Sequence, residues 1–199
     1  MKYLDLFPTV VLSEELNNIS FNEIEQYKTY LTTLPFNNNE GQGKYTVTQQ
    51  LLENPIFNSL KESILNISKN YCDELDHMYL DLQIASSWAT LHKKDINTNF
   101  HKHANSYLSG VFYLTEGSNI KFSNPLNPEW CFEPNKNPDT NNYRSFEEYS
   151  FSPFPRFCLI FPSFLKHSIE KSISDDRTSI AFNIIPKGEF GRDTRKIYI

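Results

Sequence analysis

The chain has 199 residues, a length that fits one domain able to bury a sizeable core. Aromatic residues make up 15% of it, which favours a β-rich interior, and only 6 glycines argue against fibrous or repeat architectures. The net charge is −5 and the sequence has no basic block, so the composition excludes the electrostatic footprint of a nucleic-acid binder.

Cysteine usage and hydropathy bear on where the protein works. Cys72, Cys131 and Cys158 are far apart and form no C-x-x-C pair, which is typical of proteins in a reducing cytoplasm. No apolar run is long enough to span a bilayer, and acid and proline interrupt the opening residues too early for a signal peptide. We therefore predict a cytoplasmic protein with neither a membrane nor a nucleic-acid partner.

Two helices are predicted in the first third of the chain. Ser20 and Glu23 have capping-box spacing, and apolar residues at helical spacing extend the first helix to about Leu34. Asn54-Pro55 is typical of a helix start, and a long apolar stripe follows it. We interpret residues 1–80 as helical support for the remainder of the domain.

From Leu82 onward the sequence favours short strands. Helices followed by eight antiparallel-looking strands predict a mainly β fold with flanking helices, a jelly roll whose N-terminal helices pack outside. In this interpretation residues 1–199 form a single domain, with the jelly-roll core at residues 81–185 and a charged tail at residues 186–199. The eight predicted strands are Leu82–Leu91, Thr98–His103, Tyr107–Leu114, Asn119–Phe122, Tyr149–Ser152, Phe157–Phe161, His167–Lys171 and Arg177–Ile185.

The last predicted strand has one apolar and one polar face. Side chains alternate across a strand, so the apolar face can pack on the helices while the polar face lines a ligand cavity. A solvent-facing sheet is the alternative. The polar face carries Arg177, Ser179, Ala181 and Asn183, and the apolar face carries Ile180, Phe182 and Ile184.

Two histidines lie two residues apart at the end of the strand Thr98–His103. Because side chains alternate, His101 and His103 face the same way, and two imidazoles on one face can bind one metal ion. Two surface histidines are the alternative. His167 begins a strand after a proline-led turn and is well placed to supply a third ligand, whereas His92 either supports the site or has no role in it.

Arg177 follows the third histidine after a short turn. If His167–Lys171 and Arg177–Ile185 form a hairpin, Arg177 lies about four residues, or roughly 13 Å, from the level of the histidine. An extended arginine spans about half of that, so the gap suits a five-carbon diacid that binds a metal at one end and the planar guanidinium at the other. The alternative is a salt bridge within the turn, to Asp175 or Asp176.

Five motifs follow one another between residues 82 and 185: Ser87-Trp88, His101-x-His103, Leu108 to Leu114, Phe161-Pro162-Ser163 with His167, and Arg177-x-Ser179 continuing to Ile184. Together they resemble the iron(II)- and 2-oxoglutarate (2OG)-dependent oxygenases, most closely the small 2OG-Fe(II) oxygenases of bacteria and phages. Each motif alone is weak, and their order and spacing make the resemblance specific.

The resemblance implies a double-stranded β-helix, which is the jelly roll predicted above. It implies that His101 and His167 bind iron(II), and that Arg177, with Ser179 and Tyr113, binds the C5 carboxylate of 2OG. The implied activity uses molecular oxygen to couple decarboxylation of 2OG to hydroxylation of a C–H bond. The substrate is then a small molecule or a peptide, for example one with a prolyl residue.

His103 departs from the wider superfamily, which has Asp or Glu at this position. Two histidines and one carboxylate are the usual iron(II) ligand set, and three neutral imidazoles leave the metal more positive. The smaller group that the sequence resembles commonly carries H-x-H. The resemblance therefore implies that His103 is the third ligand, beside His101 and His167.

Two other functions fit parts of the same pattern. H-x-H with a distant third histidine also describes three-histidine zinc sites such as those of carbonic anhydrases, in which zinc activates water. That function leaves Arg177 and Ser179 without a task, which favours the oxygenase. The other alternative is a jelly-roll module that binds a ligand without catalysis, for example a structural phage component.

A long segment, Leu126–Glu148, is rich in asparagine and proline and has no strand pattern until its end. Loops of this length in compact domains are commonly functional or disordered. This one also contains Trp130, Phe132 and Tyr143, and disordered linkers are usually poor in such aromatics. We predict a lid whose aromatic residues contact the substrate, with an ordinary surface loop as the alternative.

Overall fold

The computed structural model describes residues 5, 7–39, 43–77, 81–126, 147–191 and 193–199. Residues 127–146 of the predicted lid lie outside the described residues, so its role stays a prediction. Within the described residues, no helix is long and apolar enough to cross a membrane.

The first predicted helix is present and begins at its predicted cap. Helix α1 spans Phe21–Leu31. The Ser20 hydroxyl accepts a hydrogen bond from the Glu23 backbone N–H at 3.2 Å, and the Glu23 carboxylate accepts one from the Ser20 N–H at 2.8 Å. This reciprocal pair satisfies two N–H groups that have no partner inside the helix, so the predicted capping box is confirmed.

The second predicted helix begins with short 3₁₀ turns at Leu51–Glu53 and Pro55–Phe57, and continues as helix α2, Asn58–Glu74. The Asn54 side chain accepts a hydrogen bond from the Ile56 N–H at 3.1 Å. The proline that follows the cap has no N–H to leave unpaired. The predicted asparagine-proline helix start is therefore confirmed.

All eight predicted strands are present within the described residues, together with short strands near both ends of the chain. In chain order the strands are β1 (Leu12–Glu15), β2 (Phe36–Asn39), β3 (Gly43–Thr46), β4 (Asp81–His92), β5 (Thr98–His101), β6 (Leu108–Tyr113), β7 (Ile120–Ser123), β8 (Glu148–Phe151), β9 (Phe157–Pro162), β10 (His167–Ile169), β11 (Arg177–Lys187), β12 (Glu189–Phe190) and β13 (Ile197–Tyr198).

The strands form a large and a small antiparallel sheet, which is the predicted jelly roll. The large sheet has the order β1-β9-β6-β11-β4-β3-β2, and the small sheet has the order β5-β10-β7-β8. Strands β1 to β3 come from the first 80 residues, so the N-terminal part of the chain supplies sheet as well as helix. Strands β12 and β13 pair only with each other, near the C-terminus.

Alternation along the large sheet gives it two apolar faces. On one face, Ile180 of β11 is buried in a cluster with Tyr27 of α1 and the α2 side chains. On the other face, Val111 of β6 joins a second cluster with Ile120 and Ile169 of the small sheet. The predicted packing of the apolar face of β11 on the helices is therefore confirmed, and its polar face is turned towards the small sheet.

The predicted hairpin between the strands of His167 and Arg177 is wrong. Strand β10 pairs with β5 and β7 in the small sheet, whereas β11 pairs with β4 and β6 in the large sheet. Both edges of β11 are occupied by these neighbours, so β10 has no edge on which to pair. The turn therefore crosses between the sheets, and His167 pairs with His101 while Arg177 pairs with His92.

Candidate metal and cosubstrate site

Three histidines from two segments of the chain converge on one point. His101 ends β5 and pairs directly with His167 of β10, and their ring centroids are 4.3 Å apart. His103 lies beyond the end of β5, where its N–H donates to the Ser163 carbonyl at 3.0 Å, and its ring centroid is 5.1 Å from that of His167. One ligand nitrogen from each ring lies within 4.8 Å of the other two. The structure thus brings together the three predicted ligands.

Backbone carbonyls orient two of the three rings. His101 Nδ1 lies 2.8 Å from the Asn99 carbonyl oxygen, and His167 Nδ1 lies 3.0 Å from that of Leu165. A carbonyl oxygen can only accept, so each Nδ1 carries the proton and each Nε2 keeps its lone pair. This is the tautomer that a metal-binding histidine needs, with its second nitrogen held by an oxygen.

Side chains orient the third ring. His103 Nδ1 lies 2.5 Å from Asn183 Oδ1 and 3.0 Å from Ser109 Oγ. Neither residue was predicted to contact a ligand, although the alternation along β11 had placed Asn183 on the cavity face. Ser109 lies in the Leu108–Leu114 motif, on the polar face of its strand, but no local pattern indicated its contact with His103.

Burial favours the neutral form of two of the imidazoles, His103 and His167. Burial, with a smaller contribution from the nearby His101, lowers the pKa of His167 to about 3. Burial also lowers the pKa of His103, although the hydrogen bond that His103 donates to Asn183 Oδ1 raises it. A neutral imidazole is the form that binds a metal, so these environments favour coordination near neutral pH.

Arg177 is fully buried and lacks a carboxylate partner among the described residues. Its Nε donates to the Ser118 carbonyl at 3.2 Å, and Nη1 lies 3.3 Å from His92 Nδ1. Nη2 has no hydrogen-bond partner among the described residues. Burial lowers the pKa of Arg177, and a buried cation of this kind is costly unless an anion pairs with it. The alternative of a salt bridge within the turn is therefore not supported.

His92 connects Arg177 to the small sheet. The guanidinium can only donate, so His92 Nδ1 accepts and His92 Nε2 carries the proton, which it donates to Thr98 Oγ1 at 2.8 Å. Burial, with a smaller contribution from the Arg177 charge, lowers the pKa of His92 to about 4. His92 therefore supports the site as a neutral side chain, which is one of the two roles that the sequence left open.

The other two predicted cosubstrate residues lie beside Arg177 in different ways. Ser179 lines the same cavity as Arg177, and its hydroxyl is 2.8 Å from that of Thr90. The Tyr113 ring packs 5.3 Å from Arg177 Cζ but is not part of the cavity wall. Burial raises the pKa of Tyr113 to about 12 although Arg177 opposes this, and its hydroxyl has no hydrogen-bond partner among the described residues.

Gly117 allows the backbone to approach Arg177 closely. Its φ of +152° is rare for residues with a side chain, and a Cβ at this position would lie 2.8 Å from Arg177 Cγ. Any larger residue would displace the stem of the arginine. The close packing therefore fixes the guanidinium in place before a ligand binds.

One cavity of about 170 Å³ contains both parts of the site. The three histidines and Arg177 all line it, and no carboxylate is among its described lining residues. A single water needs only about 10–15 Å³ of such volume, so the cavity has room for a small organic ligand. Three imidazole donors fit a divalent metal, and an unpaired guanidinium Nη2 fits the carboxylate of an anion bound to that metal.

Comparison with known proteins identifies the family. Residues 86–183, about half of the chain, match the protein family described as "Putative 2OG-Fe(II) oxygenase". The match spans the predicted metal ligands and Arg177. The chain belongs to the 2OG-Fe(II) oxygenase superfamily. No curated protein sequence matches this oxygenase.

Solved structures agree with this assignment at the level of the fold. A 2OG-Fe(II) oxygenase family oxidoreductase from Burkholderia pseudomallei is 14% identical, with 88% of this chain and 84% of that one covered and a TM-score of 0.59. HygX from Streptomyces hygroscopicus with nickel, 2-oxoglutarate and hygromycin B bound is 14% identical over 89% and 83%, with a TM-score of 0.62. A Pseudomonas putida prolyl-4-hydroxylase is 8% identical over 89% and 93%, with a TM-score of 0.61.

The pKa of His92 gives the oxygenase a testable pH dependence. Protonation of His92 is less favourable in the folded protein than in the unfolded chain. Between about pH 6.5 and pH 4 the unfolded chain therefore binds more protons than the folded protein, and the free energy of unfolding falls as the pH falls. Between pH 7.5 and pH 5.0 we expect His92 to account for a loss of about 2 kcal/mol in the free energy of unfolding of the metal-free protein. Denaturant unfolding of wild type and His92→Gln at both pH values measures this difference.

The control for that measurement is Asn54→Ala, which removes a helix cap and introduces no titrating group. This variant should be less stable than wild type by a similar amount at both pH values. If His92→Gln loses as much stability as wild type on acidification, the buried neutral state of His92 is refuted.

Proposed function

We propose that this chain is an Fe(II)- and 2OG-dependent dioxygenase that hydroxylates a C–H bond of a small molecule or peptide. The observation that carries the proposal is one cavity with a three-nitrogen metal site and a buried, unpaired guanidinium. A metal site alone fits many enzymes. The guanidinium adds the recognition of an anion, which a metal-chelating dicarboxylate satisfies.

Each residue has a distinct task in this proposal. His101, His103 and His167 present lone pairs on Nε2 to iron(II), and Arg177 pairs with the far carboxylate of 2OG. When bound, iron(II) and 2OG would supply the oxidative chemistry, in which 2OG loses carbon dioxide, one atom of molecular oxygen enters succinate and the other atom enters the substrate. Ser179, already bonded to Thr90, offers a hydroxyl beside the same carboxylate.

Aromatic side chains flank two of the ligands. The Phe161 ring lies 4.8 Å from His167 and the Trp88 ring lies 5.7 Å from His103, centroid to centroid. Apolar side chains around a metal site restrict solvent and protect reactive intermediates from side reactions. In this proposal the protein contributes ligand geometry, cosubstrate orientation and an aromatic wall beside the ligands.

The substrate class is proposed from two of the structural neighbours. HygX is solved with hygromycin B bound, which supports a small-molecule substrate. The Pseudomonas putida neighbour is a prolyl-4-hydroxylase, which supports a prolyl peptide. Mass spectrometry of proline-containing peptides and of a small-molecule panel after incubation with the loaded enzyme separates the two, because the substrate gains one oxygen atom.

Succinate release tests the function itself. Protein loaded anaerobically with iron(II) and 2OG should release succinate when air is admitted, at a slow uncoupled rate even without the primary substrate. Protein loaded with zinc instead should release none. If the iron form releases no succinate while the zinc form hydrates carbon dioxide or hydrolyses an ester, the zinc-enzyme alternative is correct. Metal content without either activity would indicate a binding module.

A further inference from the structure

In the part of the chain that the structure describes, a cluster of polar side chains lies behind His103 and behind neither of the other ligands. Asn183 Oδ1 is 2.5 Å from His103 Nδ1 and 2.8 Å from Ser109 Oγ, and the Asn183 amide nitrogen donates to Ser86 Oγ at 3.0 Å. Ser109 is fully buried and reaches Ser163 Oγ at 2.8 Å. His101 and His167, in contrast, rest on backbone carbonyls, which any sequence provides.

The direction of the hydrogen bonds in this cluster determines the tautomer of His103. The Ser106 hydroxyl donates to Ser163, so the Ser163 proton is free for Ser109. The Ser109 hydroxyl lies 3.0 Å from His103 Nδ1 and 2.8 Å from Asn183 Oδ1, and because Nδ1 must carry a proton to face that acceptor oxygen at 2.5 Å, the Ser109 proton is directed to Asn183 Oδ1. Each hydroxyl has one proton, so the chain runs one way. Asn183 Oδ1 is left as an acceptor for His103 Nδ1–H, and the lone pair of His103 is on Nε2.

We propose that Asn183, held by Ser109, is the positioning residue that makes His103 a metal ligand, an inference that rests on the proposed function. A carboxylate at position 103 would need no tautomer selection, because it binds a metal through either oxygen. An imidazole needs tautomer selection, since only one of its two nitrogens faces the metal and that nitrogen must be unprotonated. Asn183 and Ser109 therefore select the tautomer that a histidine at position 103 needs and that a carboxylate would not need.

The test compares metal affinity in Asn183→Leu, Asn183→Asp and Ser109→Ala. Asn183→Leu keeps the approximate side-chain size but removes the acceptor, and should weaken binding of cobalt(II) or nickel(II) by about 10- to 100-fold, as expected for a lost partner of a ligand. Asn183→Asp can only accept, so it should keep the affinity or increase it. Ser109→Ala should fall between the two. Isothermal titration calorimetry gives the affinities, and the visible spectrum of bound cobalt(II) reports the ligand set.

The decisive measurement is the double variant Asn183→Leu with His103→Ala. If Asn183 acts through His103, adding Asn183→Leu to His103→Ala should cause little further loss of affinity, because interacting residues are non-additive. The stability control is Asn54→Ala, which lowers the melting temperature through a lost helix cap and should leave metal affinity unchanged.

Three outcomes overturn the inference: wild-type affinity in Asn183→Leu, equal losses in the leucine and aspartate variants, or a full additional loss in the double variant. Should Asn183→Leu fold poorly, Asn183→Asp and Ser109→Ala still decide between positioning and general support. The proposed function fails by a separate assay, when metal-loaded wild type releases no succinate, and that result leaves the comparison of affinities intact.

Discussion

Replacing Arg177 with methionine should weaken 2OG binding by about a hundredfold, because a charge-assisted, two-pronged contact to a carboxylate is worth a few kcal/mol. Arg177 is fully buried, and its Nη2 has no other partner among the described residues. Titration of 2OG into nickel-loaded protein measures the change, and metal affinity should stay near the wild-type value because the histidines are untouched.

The same substitution should leave the ligand-free protein at least as stable as wild type. Among the described residues the buried guanidinium has hydrogen bonds only to the Ser118 carbonyl and the neutral His92 ring, so its desolvation is poorly compensated before an anion binds. Methionine fills similar space without a charge. Replacing buried ionic groups with apolar ones is often neutral or stabilising by about 1–4 kcal/mol, and we expect a gain in this range from urea unfolding.

Arg156→Met is the matched control for both measurements. Arg156 forms an ion pair with Glu15 and lies outside the cavity, so its loss should leave 2OG affinity unchanged and should not raise stability. An Arg177→Met protein with wild-type 2OG affinity would reduce Arg177 to a structural residue. A large loss of stability in the ligand-free protein would show that the guanidinium is already compensated.

Local patterns predicted the elements of this fold and the residues on each face. Alternation along β11 separated the side chains that pack on the helices from those that line the cavity, because the two-residue period of a strand is fixed by backbone geometry. Capping residues marked both helix starts because the first N–H groups of a helix need acceptors from outside the helix. The three histidines were predicted as a group from the motif order of the family, since nothing local connects His167 to His101.

Strand pairing could not be predicted from local patterns, and each error in the site follows from it. The hairpin joining the strands of His167 and Arg177 was inferred from a short connection, but the turn crosses between sheets. The partnership of Arg177 with His92 depends on the register of β11 against β4, which joins residues far apart in sequence. Asn183 was placed on the correct face, yet its contact with His103 required the packing of two sheets.

Alanine in place of His101, His103 or His167 should weaken metal binding by more than about a hundredfold, which exceeds the loss expected for a residue that only supports a ligand. One ligand nitrogen from each ring lies within 4.8 Å of the other two, so each variant removes one of three candidate donors. His77→Ala is the control, because His77 is exposed and lies outside the group. Calorimetric titration with cobalt(II) or nickel(II) gives the affinities.

His103 is the position at which the ligand set departs from two histidines and a carboxylate, so its variants discriminate most sharply. His103→Asp supplies the carboxylate that commonly completes an iron(II) site, and it should bind metal more tightly than His103→Ala. The negative charge also offsets part of the metal charge that three neutral imidazoles leave. If the alanine and aspartate variants lose affinity equally, the side chain at position 103 does not reach the metal. If His103→Ala keeps wild-type affinity, the site has two histidine ligands.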